Sequence, residues 1–168
     1  MLALEGVDGV GKSTATAALA RLLSARGLDV AEHDFPVYEE PRFGPIIGAF
    51  LKGEVRIEGE RTPEVVATLF AANRAATAPQ LRAERDAGRT LLCDRYHLSN
   101  AAYQGARLPD PAKLDDFLDW ILGVELDVMG ALKPDVSLWL RLPLQLRQIL
   151  LATFCSAPCT NSASGSPL

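Results

Sequence analysis

Apolar residues along the chain form two kinds of segment that alternate. Short apolar runs end at a polar residue or a proline near residues 2–4, 29–35, 90–94 and 136–142, and runs of this length indicate buried strands. Between these runs, apolar residues recur every three to four positions, which is the spacing of an amphipathic helix. Strands that alternate with helices predict an α/β fold in which helices cover both faces of a parallel sheet.

The longest helical segment is expected to begin at Thr62-Pro63, where a capping hydroxyl precedes a proline in the first turn. We expect Pro79 to kink or interrupt this helix, because proline lacks the N–H that a helix interior needs. Gly88 is expected to end the segment, and a short apolar helix is expected around residues 46–51. A later helix starts at residues 110–111, and its apolar stripe predicts core packing: Leu114, Phe117, Leu118, Ile121 and Leu122.

The first polar segment, EGVDGVGKST (residues 5–14), has the spacing of a phosphate-binding loop. Its Gly-x-x-x-x-Gly-Lys-Ser pattern follows the first predicted strand and precedes a helix that Gly27 closes, which is the context of a P-loop. Glycines let backbone N–H groups approach an anion, Lys12 reaches the β- and γ-phosphates, and the Ser13 hydroxyl can bind Mg²⁺. An ordinary glycine-rich turn is the alternative, which the flanking strand and helix disfavour. The expected phosphate-binding residues are Gly6, Val7, Asp8, Gly9, Val10, Gly11, Lys12, Ser13 and Thr14.

Composition and charge argue against several classes of function. The formal charge of −4 and the isoelectric point near 5.2 disfavour general binding to nucleic acid. No run of 18 apolar residues predicts a membrane span, and the N-terminus lacks the basic segment of a signal peptide. Cys93 lies in an apolar run and predicts a core residue, whereas Cys155 and Cys159 lack the partners of a zinc site. The cytoplasm is the expected compartment.

A phosphate acceptor needs binding groups where the parallel strands end, because open α/β sheets bind their ligands at that edge. Asp8 within the loop can hold a sugar hydroxyl or help arrange the shell of Mg²⁺, and a solvated loop residue is the alternative. Phe35, Pro36 and Tyr38 follow the second strand. They can form a wall beside the sugar and phosphate of the acceptor, or simply pack at the strand end.

Two further stretches carry side chains suited to a nucleotide. Phe70 and Arg74 lie one helical turn apart and share a face that suits a flat base with carbonyl edges, with a core residue beside a surface charge as the alternative. Asp94 and Arg95 end the third strand, where Asp94 can organise Mg²⁺ and Arg95 can grip a phosphate. The polar residues that follow can read a base or sugar, or be structural: Asn100, Tyr103 and Gln104.

The segments EGVDGVGKST, Asp-Phe-Pro-x-Tyr, LFAANR, CDRYHLSNAAYQGA and KPDVSLWL, taken in that order, resemble thymidylate kinase over about residues 2–142. The resemblance implies a P-loop NTPase fold with three α/β/α layers, as in nucleoside monophosphate kinases. It implies transfer of the γ-phosphate of ATP to dTMP, giving dTDP, with Mg²⁺. It also implies a homodimer that acts on small molecules and binds neither nucleic acid nor membrane.

The resemblance further assigns roles to the candidate residues. Phe70 would stack on thymine, and Arg74 would bond its carbonyl. The catalytic candidates are Lys12, Asp94, Asp8 and Arg95; of these, Asp8 would hold the region of the 3′-hydroxyl and Arg95 would contact the phosphate of dTMP. The remaining candidates would complete recognition: Asn100, Tyr103 and Gln104 for base and sugar, and Phe35, Pro36 and Tyr38 along the pocket.

The resemblance fails after Leu142. Residues 143–168 carry one charged side chain, Arg147, and end in a stretch rich in Ser, Ala and Pro, which predicts a disordered tail after a kinase core of residues 1–142. The arginine-bearing lid of the family is not recognisable there, and none of residues 7–10 is basic. A second hypothesis is therefore a relative that binds nucleotide without turnover. A third is a kinase for thymidine itself, which Arg95 disfavours because it suits an acceptor that already carries phosphate.

Overall fold

The computed structural model of the chain describes residues 1–143 and contains a four-stranded parallel sheet. The strands are β1 (Leu2–Glu5), β2 (Val30–Asp34), β3 (Thr90–Asp94) and β4 (Val136–Trp139), in the order β2-β3-β1-β4. The four strands expected from the sequence are present. β4 ends three residues earlier than expected, since it is exposed along its length and, within the described residues, pairs only with β1.

The register of the sheet gathers acidic residues at one edge. β1 pairs with β3 so that Leu4 lies beside Asp94, and β3 pairs with β2 so that Asp94 lies beside Asp34. All three pairings are parallel. The loop that follows β1 therefore emerges beside the end of β3 and on the same side of the sheet as the end of β2, where the ligands are expected.

Helices flank this sheet. Those of residues 1–143 are α1 (Lys12–Ser24), α2 (Gly44–Leu51), α3 (Thr62–Asp86), α4 (His97–Gly105) and α5 (Leu114–Leu122), with a 3₁₀ turn at Pro111–Lys113 before α5 and a π-helical turn at Gly123–Val128 after it. α1 packs against β1, β2 and β3, α3 packs against β3, and α4 and α5 pack against α3 and each other. The predicted α/β fold with a parallel sheet is confirmed.

Within residues 1–143, buried side chains form two clusters. One joins the sheet to α3 and consists of Ala3, Ala31, Phe35, Ala78, Leu81, Leu91, Cys93, Tyr96 and Leu132. The other joins α3, α4 and α5 and consists of Ala67, Ala71, Ala101, Phe117 and Ile121. Cys93 is a core residue, as predicted, and burial raises the pKa of its thiol to about 12. The predicted stripe on α5 is buried at Phe117 and Ile121, whereas Leu114 is exposed.

Of the kink or interruption expected at Pro79, the interruption is wrong, because α3 is continuous through this residue, and the kink stays a prediction. Its neighbours Ala78 and Leu81 are almost completely buried in the cluster beneath the sheet. A proline in a helix interior costs about 3 kcal/mol relative to alanine. The packing of the residues on either side offsets that local cost, so tertiary contacts outweigh the local preference here.

The capping role expected of Thr62 is also wrong. Arg61 occupies the N-cap position of α3, and the Thr62 hydroxyl donates instead to the carbonyl oxygen of Gly59 at 2.7 Å. The expected helix ends are correct, because Gly27 and Gly88 follow α1 and α3 with positive φ angles of 86°. Glycine is favoured in that conformation because it has no Cβ.

No helix within residues 1–143 is both long enough and apolar enough to cross a bilayer. The tail predicted for residues 143–168 lies, apart from its first residue, outside the described part of the chain. The expectations for the lid, for Cys155 and for Cys159 concern the same region.

Candidate functional site

The loop between β1 and α1 forms an anion cradle. Gly6 and Gly11 adopt positive φ angles of 149° and 88°, which residues with a side chain rarely do. A Cβ at Gly6 would lie only 2.7 Å from the carbonyl oxygen of Leu140, so no side chain fits there. α1 begins at Lys12, directly after the loop. The unpaired N–H groups and the positive dipole end of this helix therefore lie at the cradle.

Lys12 is folded into the cradle. Its ammonium group donates a hydrogen bond to the carbonyl oxygen of Val7 at 3.0 Å, and the residue is only 7% exposed. Burial lowers the pKa of Lys12, and the nearby guanidinium of Arg95 lowers it further. A phosphate bound in the loop would stabilise the charged ammonium group, which is largely shielded from solvent.

The edge of the sheet beside the cradle offers oxygen ligands that suit Mg²⁺. The Ser13 hydroxyl donates to Oδ2 of Asp94 at 2.7 Å, and Asp94 is buried at the end of β3. Asp34 lies next to it, and the pKa of Asp34 is raised by burial and by the Asp94 carboxylate. No cluster of three or more His, Cys, Asp or Glu residues within 1–143 is arranged to hold a metal ion. The Ser13 hydroxyl and the Asp94 carboxylate are oxygen ligands of the kind that Mg²⁺ combines with phosphate oxygens in proteins.

A cleft of about 220 Å³ opens beside the cradle. All ten acceptor candidates from the sequence line it: Asp8, Phe35, Pro36, Tyr38, Phe70, Arg74, Arg95, Asn100, Tyr103 and Gln104. Other residues of the described range also line it: Phe50, Leu51, Tyr96, Ser99 and Arg107. Residues from α2, α3 and α4 and from the segments after β1, β2 and β3 therefore line the cleft.

Arg74 is held inside the cleft by a buried ion pair. Its Nε and Nη2 donate to the two carboxylate oxygens of Glu125 at 2.6 and 2.7 Å, and both side chains are at most 2% exposed. The alternative that Arg74 is a surface charge is therefore wrong. Asn100 joins the same network, because its Nδ2 donates to Glu125 at 2.7 Å and to the carbonyl of Ala67 at 2.9 Å.

Arg95 connects the cradle to α4. It has a positive φ of 65°, and its Nη1 donates to the carbonyl of Gly6 at 3.2 Å and to the hydroxyl of Ser99 at 3.3 Å. Its Nη2 pairs with the carboxylate of Asp8, which also accepts a hydrogen bond from the Tyr103 hydroxyl at 2.8 Å. The guanidinium carbon lies 5.5 Å from the centre of the Tyr103 ring. Asp8, Arg95 and Tyr103 therefore form one charged cluster at the junction of cradle and cleft.

Glu5 anchors α4 beneath this cluster. It is the last residue of β1, is 4% exposed, and accepts hydrogen bonds from the backbone N–H of Leu98 and the hydroxyl of Ser99. Burial raises the pKa of Glu5, against the opposing effect of these hydrogen bonds. The carboxylate thus helps to hold Ser99 where it meets Arg95.

The wall after β2 is held by Asn73. The bond between Phe35 and Pro36 is cis, and Phe35 packs edge-on against Tyr96 with ring centres 5.0 Å apart. Asn73 is fully buried; its Oδ1 accepts from the N–H of Val37, and its Nδ2 donates to the carbonyl of the same residue, both at 2.8 Å. One amide therefore satisfies both backbone groups of the residue between Pro36 and Tyr38.

Glu125 and Asn73 belong to the site but were not predicted from the sequence. Glu125 lies four positions after Ile121 and eight after Phe117, on the continuation of the apolar stripe of α5. A carboxylate at such a position indicates a buried partner, and this signal was present in the sequence. Nothing in the local pattern around Asn73 relates it to Val37, because 36 residues separate the two.

Known proteins resemble this chain over most of its length. The sequence model of the family described as thymidylate kinase matches residues 4–148. Thymidylate kinase of Mycobacterium tuberculosis (strain ATCC 25618 / H37Rv) is 34% identical over 148 residues, which is 87% of this chain and 67% of that protein. Human thymidylate kinase is 32% identical over 145 residues, which is 86% of this chain and 61% of that protein.

A solved structure gives the same result. Thymidylate kinase from Candida albicans superposes with a TM-score of 0.71 at 26% identity, over 88% of this chain and 64% of that one. The chain thus spans about two thirds of the length of the relatives that it matches.

Proposed function

The chain belongs to the thymidylate kinase family, and from this premise we propose that it transfers the terminal phosphate of ATP to dTMP, giving dTDP. The observation that carries the proposal is the single cleft that places Phe70, Arg74 and Arg95 beside the Lys12 cradle. A donor phosphate and an acceptor nucleotide would meet there. The relatives reported above are named kinases, so we prefer turnover to nucleotide binding alone.

The donor would occupy the cradle of residues 6–14. Lys12 would neutralise the β- and γ-phosphates, and the N–H groups at the start of α1 would bind their oxygens. Ser13 and Asp94 would hold Mg²⁺, which neutralises charge on the phosphates when it is bound. In this proposal Asp94 and Lys12 have catalytic roles, together with Arg95 and Asp8 at the junction with the cleft.

The acceptor would occupy the cleft. Phe70 would stack on the thymine, Arg74 and Asn100 would bond its edge, and Arg95 would contact the phosphate of dTMP. Asp8 would hold the 3′-hydroxyl region. The remaining candidates would enclose base and sugar: Phe35, Pro36, Tyr38, Tyr103 and Gln104.

The proposal is tested with the purified chain, ATP and Mg²⁺, by measuring formation of nucleoside diphosphate from dTMP, dCMP, UMP and AMP, and formation of dTMP from thymidine. We expect dTDP, with a clear preference for dTMP. Equal use of AMP would overturn the assignment of the cleft, and use of thymidine in place of dTMP would favour the nucleoside kinase. If ATP or dTMP raises the melting temperature while dTDP stays at background, the chain binds nucleotide without turnover.

Three finer expectations accompany the proposal. We propose that the chain pairs as a homodimer, as the family resemblance implies, and sedimentation of the purified chain would test this. We further propose the cytoplasm as its compartment and small molecules as its substrates. The net charge of −4 supports the last point, because it disfavours nucleic acid as a partner.

Replacement of Asn73 by alanine should loosen the wall of the cleft. The N–H of Val37 would lose its partner, whereas its carbonyl would keep the hydrogen bond from the N–H of Glu40 at 3.3 Å. A shielded polar group without a partner costs about 1–3 kcal/mol. We expect a lower free energy of unfolding in urea and a higher KM for dTMP, with the KM for ATP little changed. Thr68→Ala is the matched control, since its hydroxyl donates to the carbonyl of Glu64 within α3. An unchanged KM for dTMP would show that this wall does not contribute to binding of the acceptor.

A further inference from the structure

We propose that Glu125 is a positioning residue that sets which bases the cleft accepts, by fixing the donor and acceptor atoms of Arg74 and Asn100. The inference rests on the proposed function and deepens it, because it concerns recognition of the acceptor base. Glu125 itself need not touch the nucleotide.

Three N–H donors converge on the Glu125 carboxylate. Its Oε2 accepts from Nε of Arg74, and its Oε1 accepts from Nη2 of Arg74 and Nδ2 of Asn100. Glu125 is completely buried in the π-helical turn after α5. An ionised carboxylate only accepts hydrogen bonds. The N–H groups of Arg74 and Asn100, and not the carbonyl oxygen of Asn100, therefore point toward it.

The amide of Asn100 is therefore held in one orientation. Glu125 and the carbonyl of Ala67 are both acceptors, and between them they bind the two hydrogens of Nδ2. The other end of the amide, Oδ1, is buried without a partner within residues 1–143, and so is Oε1 of Gln104 in the same cleft. Buried acceptors without partners are rare in folded proteins. We infer that a ligand in the cleft donates hydrogen bonds to these two oxygens.

The guanidinium of Arg74 is oriented in the same way. Because Nε and Nη2 bind Glu125, the nitrogen without a hydrogen bond in the described structure is Nη1. Arg74 and Asn100 both line the cleft. Their available atoms are thus an N–H donor on Arg74 and a carbonyl acceptor on Asn100.

This pair of atoms complements one class of pyrimidine. Thymine and uracil present a C4 carbonyl beside an N3–H, so each atom meets its opposite. Cytosine presents an amino group beside an unprotonated N3. Its amino donor would face the N–H of Arg74, and its N3 acceptor would face the carbonyl oxygen of Asn100. A site built around a specific hydrogen-bond pattern rejects a ligand that breaks it, because buried groups are left unpaired.

The test compares Glu125→Gln with the unaltered chain, using the ratio of kcat/KM for dTMP to that for dCMP. A glutamine side chain carries an N–H₂ group that competes with the donors of Arg74 and Asn100. The Asn100 amide can then rotate by half a turn and present its N–H₂ group to the base instead of its carbonyl oxygen. We expect the ratio to fall about tenfold or more, as for the loss of one good base contact, while the KM for ATP changes less than twofold. A folded Glu125→Gln variant with an unchanged ratio would overturn the proposal.

Glu125→Asp keeps the charge and protects the fold if glutamine is not tolerated. Its carboxylate is one carbon shorter and must withdraw from Arg74 or Asn100, so we expect a smaller fall in the ratio. A ratio equal to that of the unaltered chain in this variant also overturns the proposal. Glu84→Gln is the control, because it removes a carboxylate that pairs with His33 and Arg89 outside the cleft and should leave the ratio unchanged.

The outcome is separable from the proposed function. If the unaltered chain makes no dTDP, the kinase proposal is wrong, and calorimetric Kd values for dTMP and dCMP replace the kinetic ratio. A preference for dTMP that Glu125→Gln reduces would then still support the role of Glu125. Equal Kd values in the unaltered chain would overturn it.

Discussion

Lys12→Met should abolish phosphoryl transfer while leaving dTMP binding largely intact. Lys12 lies in the cradle rather than among the residues that line the acceptor cleft. Loss of one hydrogen-bond donor to the charge that develops in a transition state lowers kcat by about 100- to 1,000-fold. Lys12 carries a full positive charge, so we expect its loss to lower kcat by at least as much. The coupled kinase assay measures kcat, and calorimetry with dTMP measures acceptor binding. Lys113→Met, at an exposed lysine, is the control.

The same variant should be more stable than the unaltered chain without ligand. The pKa of Lys12 is depressed in the folded state, so its charged form destabilises that state at every pH below the ordinary lysine value of 10.5. Methionine keeps the apolar stem and removes the buried charge. We expect a higher melting temperature for Lys12→Met at pH 7, with the difference shrinking as the pH rises toward 10.5. A difference that does not depend on pH would contradict this account of Lys12.

Arg74→Ala should damage both stability and acceptor binding. It leaves the completely buried carboxylate of Glu125 without its charged partner, although Asn100 still donates to it, and breaking a buried ion pair in this way costs about 3–5 kcal/mol. A domain with a typical stability of about 5–15 kcal/mol would lose much of it. Urea titration gives the loss of stability, and calorimetry should show weaker dTMP binding with far less effect on ATP.

A double variant separates the two effects. In Arg74→Ala/Glu125→Leu no charge stays unpaired, so stability should largely recover, because apolar replacement of a buried pair is often tolerated. Binding of dTMP should stay weak, since the donor on Arg74 is absent. If ATP binding suffers and dTMP binding does not, the donor and acceptor sites have been assigned the wrong way round.

These two side chains illustrate how differently the parts of the site could be predicted. The motif around Lys12 is local, because loop, lysine and helix start lie within ten residues, and its context was correctly expected. Arg74 was expected in the cleft and lines it, but its ion pair was not expected. Its partner lies 51 residues away, beyond the reach of a local pattern.

The errors on α3 have the same origin. Proline and threonine have real local preferences, yet α3 passes through Pro79 and begins without help from the Thr62 hydroxyl. The packing of Ala78 and Leu81 beneath the sheet is a property of the assembled fold. The local preference of a residue is worth at most a few kcal/mol, and the burial of a whole helix face outweighs it.

The sequence by itself determined the alternation of strands and helices, the cradle and the ten acceptor candidates that line the cleft, because each is encoded in spacing over a few residues. Only the tertiary structure decided how those candidates are held. Asn73 clamps Val37, Glu125 binds Arg74 and Asn100, and Ser13 meets Asp94. Such contacts join residues tens of positions apart, and their geometry exists only once the sheet and helices have packed.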